Sequence, residues 1–306
     1  MQDSFHKIIK EICEENKIEY TVISKEWVIM LTKGTVTRFI TGYKFDLNNH
    51  GVGLVLDDKF ATYELLNKKG LPSIEHNIVY RDDNTRDYAY GCKGIEYVKN
   101  LFKKYNKNIV LKENRGTCGN SVYYIDNELE LKKRYNEMTE KYYSFSVCPY
   151  YEIESEFRAI VLNGKVELLY KKIKPIVVGD GIKTIRELLL DFNYEYFKDI
   201  NLENLDTVLV EGQKFQYDWK FNLSRGAKVS ENILEEDKKK VINISLNAAK
   251  LIGVKFGSID IVKTKDNNFF ILEINSGIMT QNYVKQVENG YQIVKKIYEK
   301  AIKAMF

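Results

Sequence analysis

Two acids and one amide lie within two apolar segments near the carboxyl end of the chain. The segments "FGSIDIV" and "FFILEIN" flank a polar turn, a pattern that predicts an antiparallel hairpin. A two-residue turn at 266–267 and a four-residue turn at 265–268 both place Asp260 opposite Glu273. Period-two alternation then puts Asn275 on the same face as Glu273.

Facing carboxylates need a partner that removes their repulsion. Like charges opposite each other in an exposed sheet cost up to roughly 1 kcal/mol, and more when they are buried. Carboxylate and amide oxygens are ligands for Mg²⁺, which keeps further positions for water and phosphate. The alternative is an exposed hairpin with hydrated acids, but "IDIV" and "FFILEI" are too apolar for it. We predict a metal site formed by Asp260, Glu273 and Asn275.

The segment "VLKENRGTCGNSVYYI" joins a lysine to a glycine-containing loop. Lys112 ends a predicted strand, and Gly116 and Gly119 allow close approach of the backbone to a ligand. The loop could fold over phosphates while Lys112 acts as a point charge. It matches neither the P-loop nor the GxGxxG pattern, and taken alone it is better explained as an ordinary glycine hairpin.

The composition is that of a globular chain without a dominant charge. Its 306 residues are 44% hydrophobic and carry a formal net charge of +4, so they predict a large core and no nucleic-acid surface. Four scattered cysteines argue against a zinc site and a disulfide framework. The first residues predict an amphipathic helix, and no run of 18 apolar residues occurs. We expect a cytoplasmic protein that binds no membrane, and homo-oligomer formation stays open.

Helical and extended patterns alternate along the chain, which predicts a mixed α+β fold. After the first helix, residues 19–45 predict a small sheet, and "DDKFATYELLNKKGLP" predicts a helix of about three turns. The later predicted elements are a helix at 94–105, a strand, loop, strand and helix within 108–138, strands at 144–151, 156–163 and 165–172, helices near 184–198, 232–252 and 290–305, and the hairpin at 255–275. We predict three regions, at 1–80, 81–150 and 151–306.

Six motifs between about residue 55 and residue 285 follow the order found in the ATP-grasp superfamily. They are "DDKFATYELLNKKGLP", "VLKENRGTCGNSV", "CPYYEIESEFRAIVLNGKV", "KPIVVGDGIKTIRELL", "FNLSRGAKV" and "SIDIV…FFILEIN". The chain most resembles the branch that includes cyanophycin synthetase and the bifunctional glutathione synthetases. This resemblance implies a nucleotide held between two α+β lobes, at 81–150 and 151–306, beside a small N-terminal α/β domain. It also implies ATP and Mg²⁺ as cofactors, with Mn²⁺ as a substitute.

The resemblance further implies roles for individual residues. Lys112 would contact phosphates under the loop 114–121, Tyr150 and Tyr151 would line the adenine slot, and an acid of the hinge strand would accept from the ribose. The implied catalytic residues are Arg158, Arg225 and Lys172, and the implied metal ligands are Asp260, Glu273 and Asn275. The implied nucleotide-binding residues are Lys59, Lys112, Asn114, Gly116, Thr117, Gly119, Tyr150, Tyr151, Glu152, Glu156 and Asn222.

Three positions depart from the pattern of the family. Pro149 replaces an acid at the hinge, Glu113 replaces a proline before the glycine loop, and Lys172 replaces an arginine. The first two departures bear on the ribose and loop contacts, and the third bears on the triphosphate contacts.

Three functions are compatible with these motifs. The leading hypothesis is an ATP-dependent ligase that joins the carboxylate of an amino acid or peptide to an amine through an acyl phosphate, releasing ADP and phosphate. The second is a ligase that modifies a ribosomal peptide or protein, with residues 19–45 binding a leader or partner. The third is a non-catalytic ATP-binding protein of the same fold. The first two imply small-molecule or peptide substrates.

Overall fold

The chain folds as helices packed on antiparallel sheets. A computed structural model describes residues 4–116, 119–191 and 205–306. Within these ranges, two four-stranded sheets and one five-stranded sheet are antiparallel throughout. The predicted mixed α+β class is confirmed. No helix of the described ranges combines the length and the apolar character needed to cross a membrane.

The amino-terminal region contains a helix, a sheet and two further helices. The helix α1 (Ser4–Glu15) buries one apolar face, and the sheet predicted at 19–45 is present in the order β1-β2-β3-β4. Its strands are β1 (Glu19–Ile23), β2 (Val28–Lys33), β3 (Val36–Thr41) and β4 (Lys44–Phe45). The predicted helix of the lysine-bearing motif is α3 (Lys59–Lys68), capped by Asp58. The sequence analysis missed α2 (His50–Leu56), in which two glycines lower the helix propensity.

A second sheet forms the central region in the order β5-β8-β6-β7. Its strands are β5 (Asn77–Tyr80), β6 (Ile109–Glu113), β7 (Val122–Ile125) and β8 (Ser144–Pro149). Two helices cover this sheet, α4 (Ile95–Lys104) and α5 (Glu128–Lys141), and share a core with it. The glycine loop connects β6 to β7, so Lys112 lies on a central strand beside the loop.

The five-stranded sheet has the order β13-β10-β9-β14-β15. Its strands are β9 (Ile153–Leu162), β10 (Lys165–Ile173), β13 (Lys228–Ser230), β14 (Phe256–Thr264) and β15 (Phe269–Asn275). One face packs against α7 (Glu235–Ile252). The chain ends with α8 (Gln281–Gln286) and α9 (Gly290–Met305).

A smaller unit precedes β13. It consists of β11 (Ile176–Val178) paired with β12 (Lys214–Gln216) and of α6 (Ile185–Leu190), which begins with a capping box at Thr184. The helix predicted near 184–198 therefore starts as expected, and its predicted continuation over 192–198 lies outside the described residues.

The predicted register of the β14–β15 hairpin is confirmed at the polar positions. Asp260 is paired with Glu273, and Ser258 is paired with Asn275. The predicted turn length is wrong, because Thr264 N–H donates to Asn268 C=O and leaves a three-residue turn with Asn267 at φ +63. The three-residue turn shifts the strand pairing by one residue near the turn. A β-bulge between Asp260 and Ile261 shifts it back, so Asp260 and Glu273 are paired as predicted.

The first and last parts of the chain share one core. Buried residues of α1 and of the first sheet pack against β9, β10 and α9 in a single cluster, which includes Phe5, Ile40, Ile160, Phe256 and Tyr298. The amino-terminal sheet is thus attached to the carboxyl-terminal region by continuous apolar packing. The domain limits at 1–80, 81–150 and 151–306 stay a prediction.

Candidate active site

Asp260 lies at the centre of a buried group of charges on the five-stranded sheet. It is only 1% exposed, and β14 is buried along its whole length, which excludes the alternative of an exposed hairpin. On the neighbouring strand β9, Arg158 donates from Nε to Oδ1 (2.7 Å) and from Nη2 to Oδ2 (2.5 Å) of Asp260. Lys172 on β10 lies 3.3 Å from Oδ2 and also donates to Glu156.

These contacts keep both Asp260 and Arg158 charged. Burial opposes the ionisation of Asp260, but Arg158 and Lys172 hold the pKa of this carboxyl below its usual value. Burial also opposes the charge on Arg158, yet Asp260 raises the pKa of the guanidinium well above its usual value. The predicted repulsion between Asp260 and Glu273 is thus offset by one cation from the adjacent strand β9 and a second from β10.

A second cationic group lies at the base of the glycine loop. Lys112 is 8% exposed, and among the described residues its ammonium has neither a hydrogen bond nor an ion pair. Lys59 donates to Gly116 C=O (2.5 Å). Burial and the nearby charge of Lys112 lower the pKa of Lys59, whereas the charge of Glu273 acts to raise it. A cation on a buried side chain is unfavourable without an anion, so the surroundings of Lys112 fit an anionic ligand.

The base of the glycine loop is tied to the start of α3. Asn114 is 1% exposed, and its Oδ1 accepts from Phe60 N–H (3.1 Å) while its Nδ2 has no partner among the described residues. A Cβ at Gly119, which has φ +68, would lie 3.0 Å from Asn222 Nδ2. The loop therefore approaches the segment that bears Asn222, and a glycine is required at this contact. Thr117 lies outside the described residues.

A cleft of about 1030 Å³ runs between the glycine loop and the segment 216–225. Gly116 and Gly119 line one side, and Arg225 lines the other. Gly226, just after Arg225, has φ +96 and lies against the Tyr217 hydroxyl, where a Cβ would be 1.9 Å from the oxygen. This glycine is required for the turn that holds Arg225 at the cleft.

Comparison with known proteins identifies this architecture. Residues 204–300 match the sequence model of the RimK-like ATP-grasp domain. Over 91% of its length the chain is 26% identical to a cyanophycin synthetase from Geminocystis herdmanii, and it spans about a third (33%) of that protein. The crystal structure of a bifunctional glutathione synthetase from Pasteurella multocida superposes on 97% of the chain with a TM-score of 0.55, at 15% identity and over 44% of that protein. The chain has the ATP-grasp fold.

A second solved structure agrees. A D-alanine–D-alanine ligase from Bacillus anthracis matches 82% of the chain and 66% of its own length, with a TM-score of 0.53 and 14% identity. The ATP-grasp fold expected from the six motifs is confirmed.

The ATP-grasp hairpin carries a donor set that fits a magnesium ion. Asp260, Glu273 and Asn275 supply only oxygen ligands, and Asn275 Nδ2 donates to Glu273 Oε1 (3.0 Å), which places both side chains on one face. The described residues contain no cluster of three His, Cys, Asp or Glu side chains that would form a complete protein cage. Two carboxylates and one amide suit an ion whose remaining ligands come from water and phosphate.

The hinge residues fall into separate environments. The ring of Tyr150 packs at an angle against that of Tyr124, with 4.4 Å between their centroids, and Tyr151 packs on Phe270 at 5.2 Å. Glu152 is exposed and paired with a surface lysine, so it lies apart from the buried charges, whereas Glu156 is among them. The predicted site residues thus form three groups. The first contains Glu156, Arg158, Lys172 and Asp260, and the second contains Lys59, Lys112, Asn114 and Gly116. In the third, Asn222 lies against Gly119, and Arg225 lines the same cleft as Gly119.

Sequence reasoning missed a buried histidine next to the lysines. His76 is 3% exposed, accepts from or donates to Ser146 Oγ at 2.8 Å, and lines a small cavity together with Lys59 and Glu273. Burial, followed by the charges of Lys112 and Lys59, lowers the pKa of His76 well below its usual value. No sequence signal marks it, because the strands that bring it to Lys112 are distant in the chain.

The neutral state of His76 predicts a pH dependence of stability. The unfolded chain takes up a proton below about pH 6.5 whereas the folded chain does not, so stability is complete above that pH and falls as the pH decreases, by at most about 1.4 kcal/mol per unit. His76→Asn retains a group for Ser146 and should flatten this dependence between pH 7 and pH 5 in urea unfolding. An unaltered slope in His76→Asn would contradict the assignment.

Proposed function

We propose that the chain is an ATP-dependent ligase that joins a carboxylate to an amine through an acyl phosphate and releases ADP and phosphate. The observation that carries the proposal is the buried side chain of Lys112, whose ammonium has no partner among the described residues, beside a loop anchored by Lys59. Glu273 lies close enough to Lys59 to raise the pKa of that lysine, and it is paired with Asp260 across the hairpin. A triphosphate would complete the lysines, and a magnesium ion would complete the acids.

Each group has a specific task in this proposal. Mg²⁺-ATP supplies the phosphoryl group that activates the substrate carboxylate. Asp260, Glu273 and Asn275 hold the metal, and Lys59 and Lys112 bind the phosphates. Arg158, Arg225 and Lys172 offset the negative charge that develops near the transferred phosphoryl group. Tyr150 and Tyr151 contribute to the adenine slot, and Glu156 or Glu152 contacts the ribose.

The relatives support the class of reaction. The similar proteins are named as two synthetases, of cyanophycin and of glutathione, and as a D-alanine–D-alanine ligase. Their substrates are not carried over, because the chain spans only a third of the cyanophycin synthetase that it matches. The direct test is ADP release with a panel of amino acids and peptides, followed by mass spectrometry of the product. ATP binding without stimulation by any carboxylate or amine would contradict ligation.

Lys112→Met should weaken nucleotide binding and stabilise the free protein. Loss of a charge-assisted contact to phosphate predicts about a 10- to 100-fold increase in the Kd of a non-hydrolysable ATP analogue. The unliganded variant should unfold at the same or a higher temperature, since an unpaired buried cation is removed. Calorimetry and thermal unfolding measure both effects. Lys141→Met, which removes an exposed lysine that donates to Ser121 at the end of the glycine loop, is the control, and a destabilised variant with normal affinity would contradict the role.

One surface favours the second function, a ligase for peptides or proteins. The first sheet exposes Trp27 (63%), Ile23 (43%) and Phe39 (43%), a large apolar area for a sheet that already packs its other face. Deleting residues 1–50 would remove α1 and the first sheet from the shared core and so disturb the fold. The better test of this surface is therefore the double variant Phe39→Ser and Trp27→Ser. Under this alternative, the double variant loses activity on a large acceptor and retains it on small amines.

A further inference from the structure

The cleft wall formed by residues 216–225 contains a carboxylate with one unused oxygen. Asp218 is 8% exposed and lines the cleft beside Trp219. Its Oδ1 accepts a hydrogen bond from the backbone N–H of Lys220 (3.1 Å). Its Oδ2 is shielded from solvent and has no hydrogen-bond partner among the described residues. A shielded carboxylate oxygen is unfavourable until a donor or a cation completes it.

Aromatic rings adjoin this carboxylate. The ring centroid of Trp219 lies 6.0 Å from that of Tyr150 and 6.4 Å from that of Tyr124. Lys220 Nζ lies 5.8 Å from the centroid of the Trp219 ring, so this ring already attracts a cation of the chain. Ring faces next to a carboxylate provide the two interactions that bind ammonium and guanidinium groups.

The position of Asp218 suits a second substrate. The cleft that it lines also contains Gly116, Gly119 and Arg225, which the proposed function places at the phosphates. Its volume of about 1030 Å³ lies at the upper end of the range for small-molecule sites, so it has room for a nucleotide and a further molecule. A molecule held at Asp218 can therefore extend towards the glycine loop within one continuous cleft.

We propose that Asp218 binds a cationic group, an ammonium or a guanidinium, of the amine substrate. The identity of the ligand as a substrate rests on the proposed ligase function, whereas cation binding at Asp218 does not require turnover. Asp218 is a specificity residue in this account: its Oδ2 accepts from the cation, Trp219 contacts the cation through its ring face, and Oδ1 keeps its bond to the Lys220 N–H.

The test is binding to the full chain in the presence of Mg²⁺ and a non-hydrolysable ATP analogue. Calorimetric affinities are measured for L-lysine, L-arginine and L-norleucine. They are also measured for Nε-acetyl-L-lysine and for Nα-acetyl-L-norleucine. Asp218→Asn should weaken binding of the cationic probes about 10- to 100-fold. Asparagine retains an acceptor for Lys220 N–H, so the fold should be unaffected. The matched control is Asp126→Asn, an exposed carboxylate on the same cleft.

The pattern of losses identifies the cation. Weaker binding of L-lysine and L-arginine alone assigns the side-chain cation to Asp218, and equal weakening that includes L-norleucine assigns the α-ammonium. Acetylation of the same nitrogen should reproduce each loss in the unaltered protein. Absence of binding by every probe, insensitivity to both acetylations, or equal effects of Asp218→Asn and Asp126→Asn would overturn the proposal. Failure of ligation is seen separately, as absence of ADP release while Asp218-dependent cation binding persists.

Discussion

Glu273→Gln should lower Mg²⁺-dependent ADP formation by about 100- to 1000-fold, because it removes both a metal ligand and its charge. Glu273 is paired with Asp260 across the hairpin, and its Oε1 accepts from Asn275. Glutamine can still accept that hydrogen bond and no longer repels Asp260, so the thermal unfolding temperature should not fall. The loss therefore concerns the bound metal and not the fold.

Two comparisons make this result specific. The exposed acid Glu154 of β9, changed in Glu154→Gln, should retain most activity, since its carboxylate is half exposed and takes no part in the proposed site. Raising the Mg²⁺ or Mn²⁺ concentration should recover part of the activity of Glu273→Gln and have no effect on the control. Activity close to that of the unaltered protein in Glu273→Gln would exclude the metal site.

Arg158→Met should destabilise the fold by about 3–5 kcal/mol as well as abolish turnover, because it leaves Asp260 as a buried carboxylate without its bidentate partner. Asp260 is 1% exposed and would keep only Lys172 at 3.3 Å. Burial would then raise the pKa of Asp260 towards protonation. The free energy of unfolding in urea measures the loss of stability, and ADP formation measures the loss of charge stabilisation.

A double variant separates the two effects. Arg158→Met combined with Asp260→Asn removes the unpaired charge and should recover most of the lost stability without recovering activity. Lys265→Met breaks an exposed ion pair and should not change stability measurably. If the double variant is as unstable as Arg158→Met, the loss arises from packing of the arginine stem and the charge argument is wrong.

The register of the hairpin was predictable because alternation and pairing depend on nearby residues. The position of Glu273 opposite Asp260 followed from period-two spacing, although the three-residue turn and the bulge were not foreseen. The α3 motif and the glycine loop were likewise recognisable from local sequence. The α3 motif and the glycine loop are joined where Lys59 donates to Gly116. This contact depends on tertiary packing, because the two residues are 57 positions apart.

The electrostatic arrangement could not be predicted from spacing alone. The sequence pattern suggested a metal as the relief of carboxylate repulsion, and in the structure Arg158 of β9 and Lys172 of β10 already neutralise Asp260. His76 beside Lys112 and Asp218 with an unused oxygen have no motif, because each becomes notable only through burial. Helix α2 was missed because glycines at Gly51 and Gly53 oppose helix formation locally, while packing on the core stabilises it.

The central claim, activation of a carboxylate by ATP, is tested most directly by trapping with hydroxylamine. The full chain is incubated with Mg²⁺-ATP, hydroxylamine and each member of a panel of amino acids and peptides, and hydroxamate and ADP are quantified together. The account predicts that at least one carboxylate produces hydroxamate and ADP in equal amounts, and that Glu273→Gln suppresses both. Binding of ATP with no carboxylate-dependent hydroxamate or ADP across the panel would contradict it.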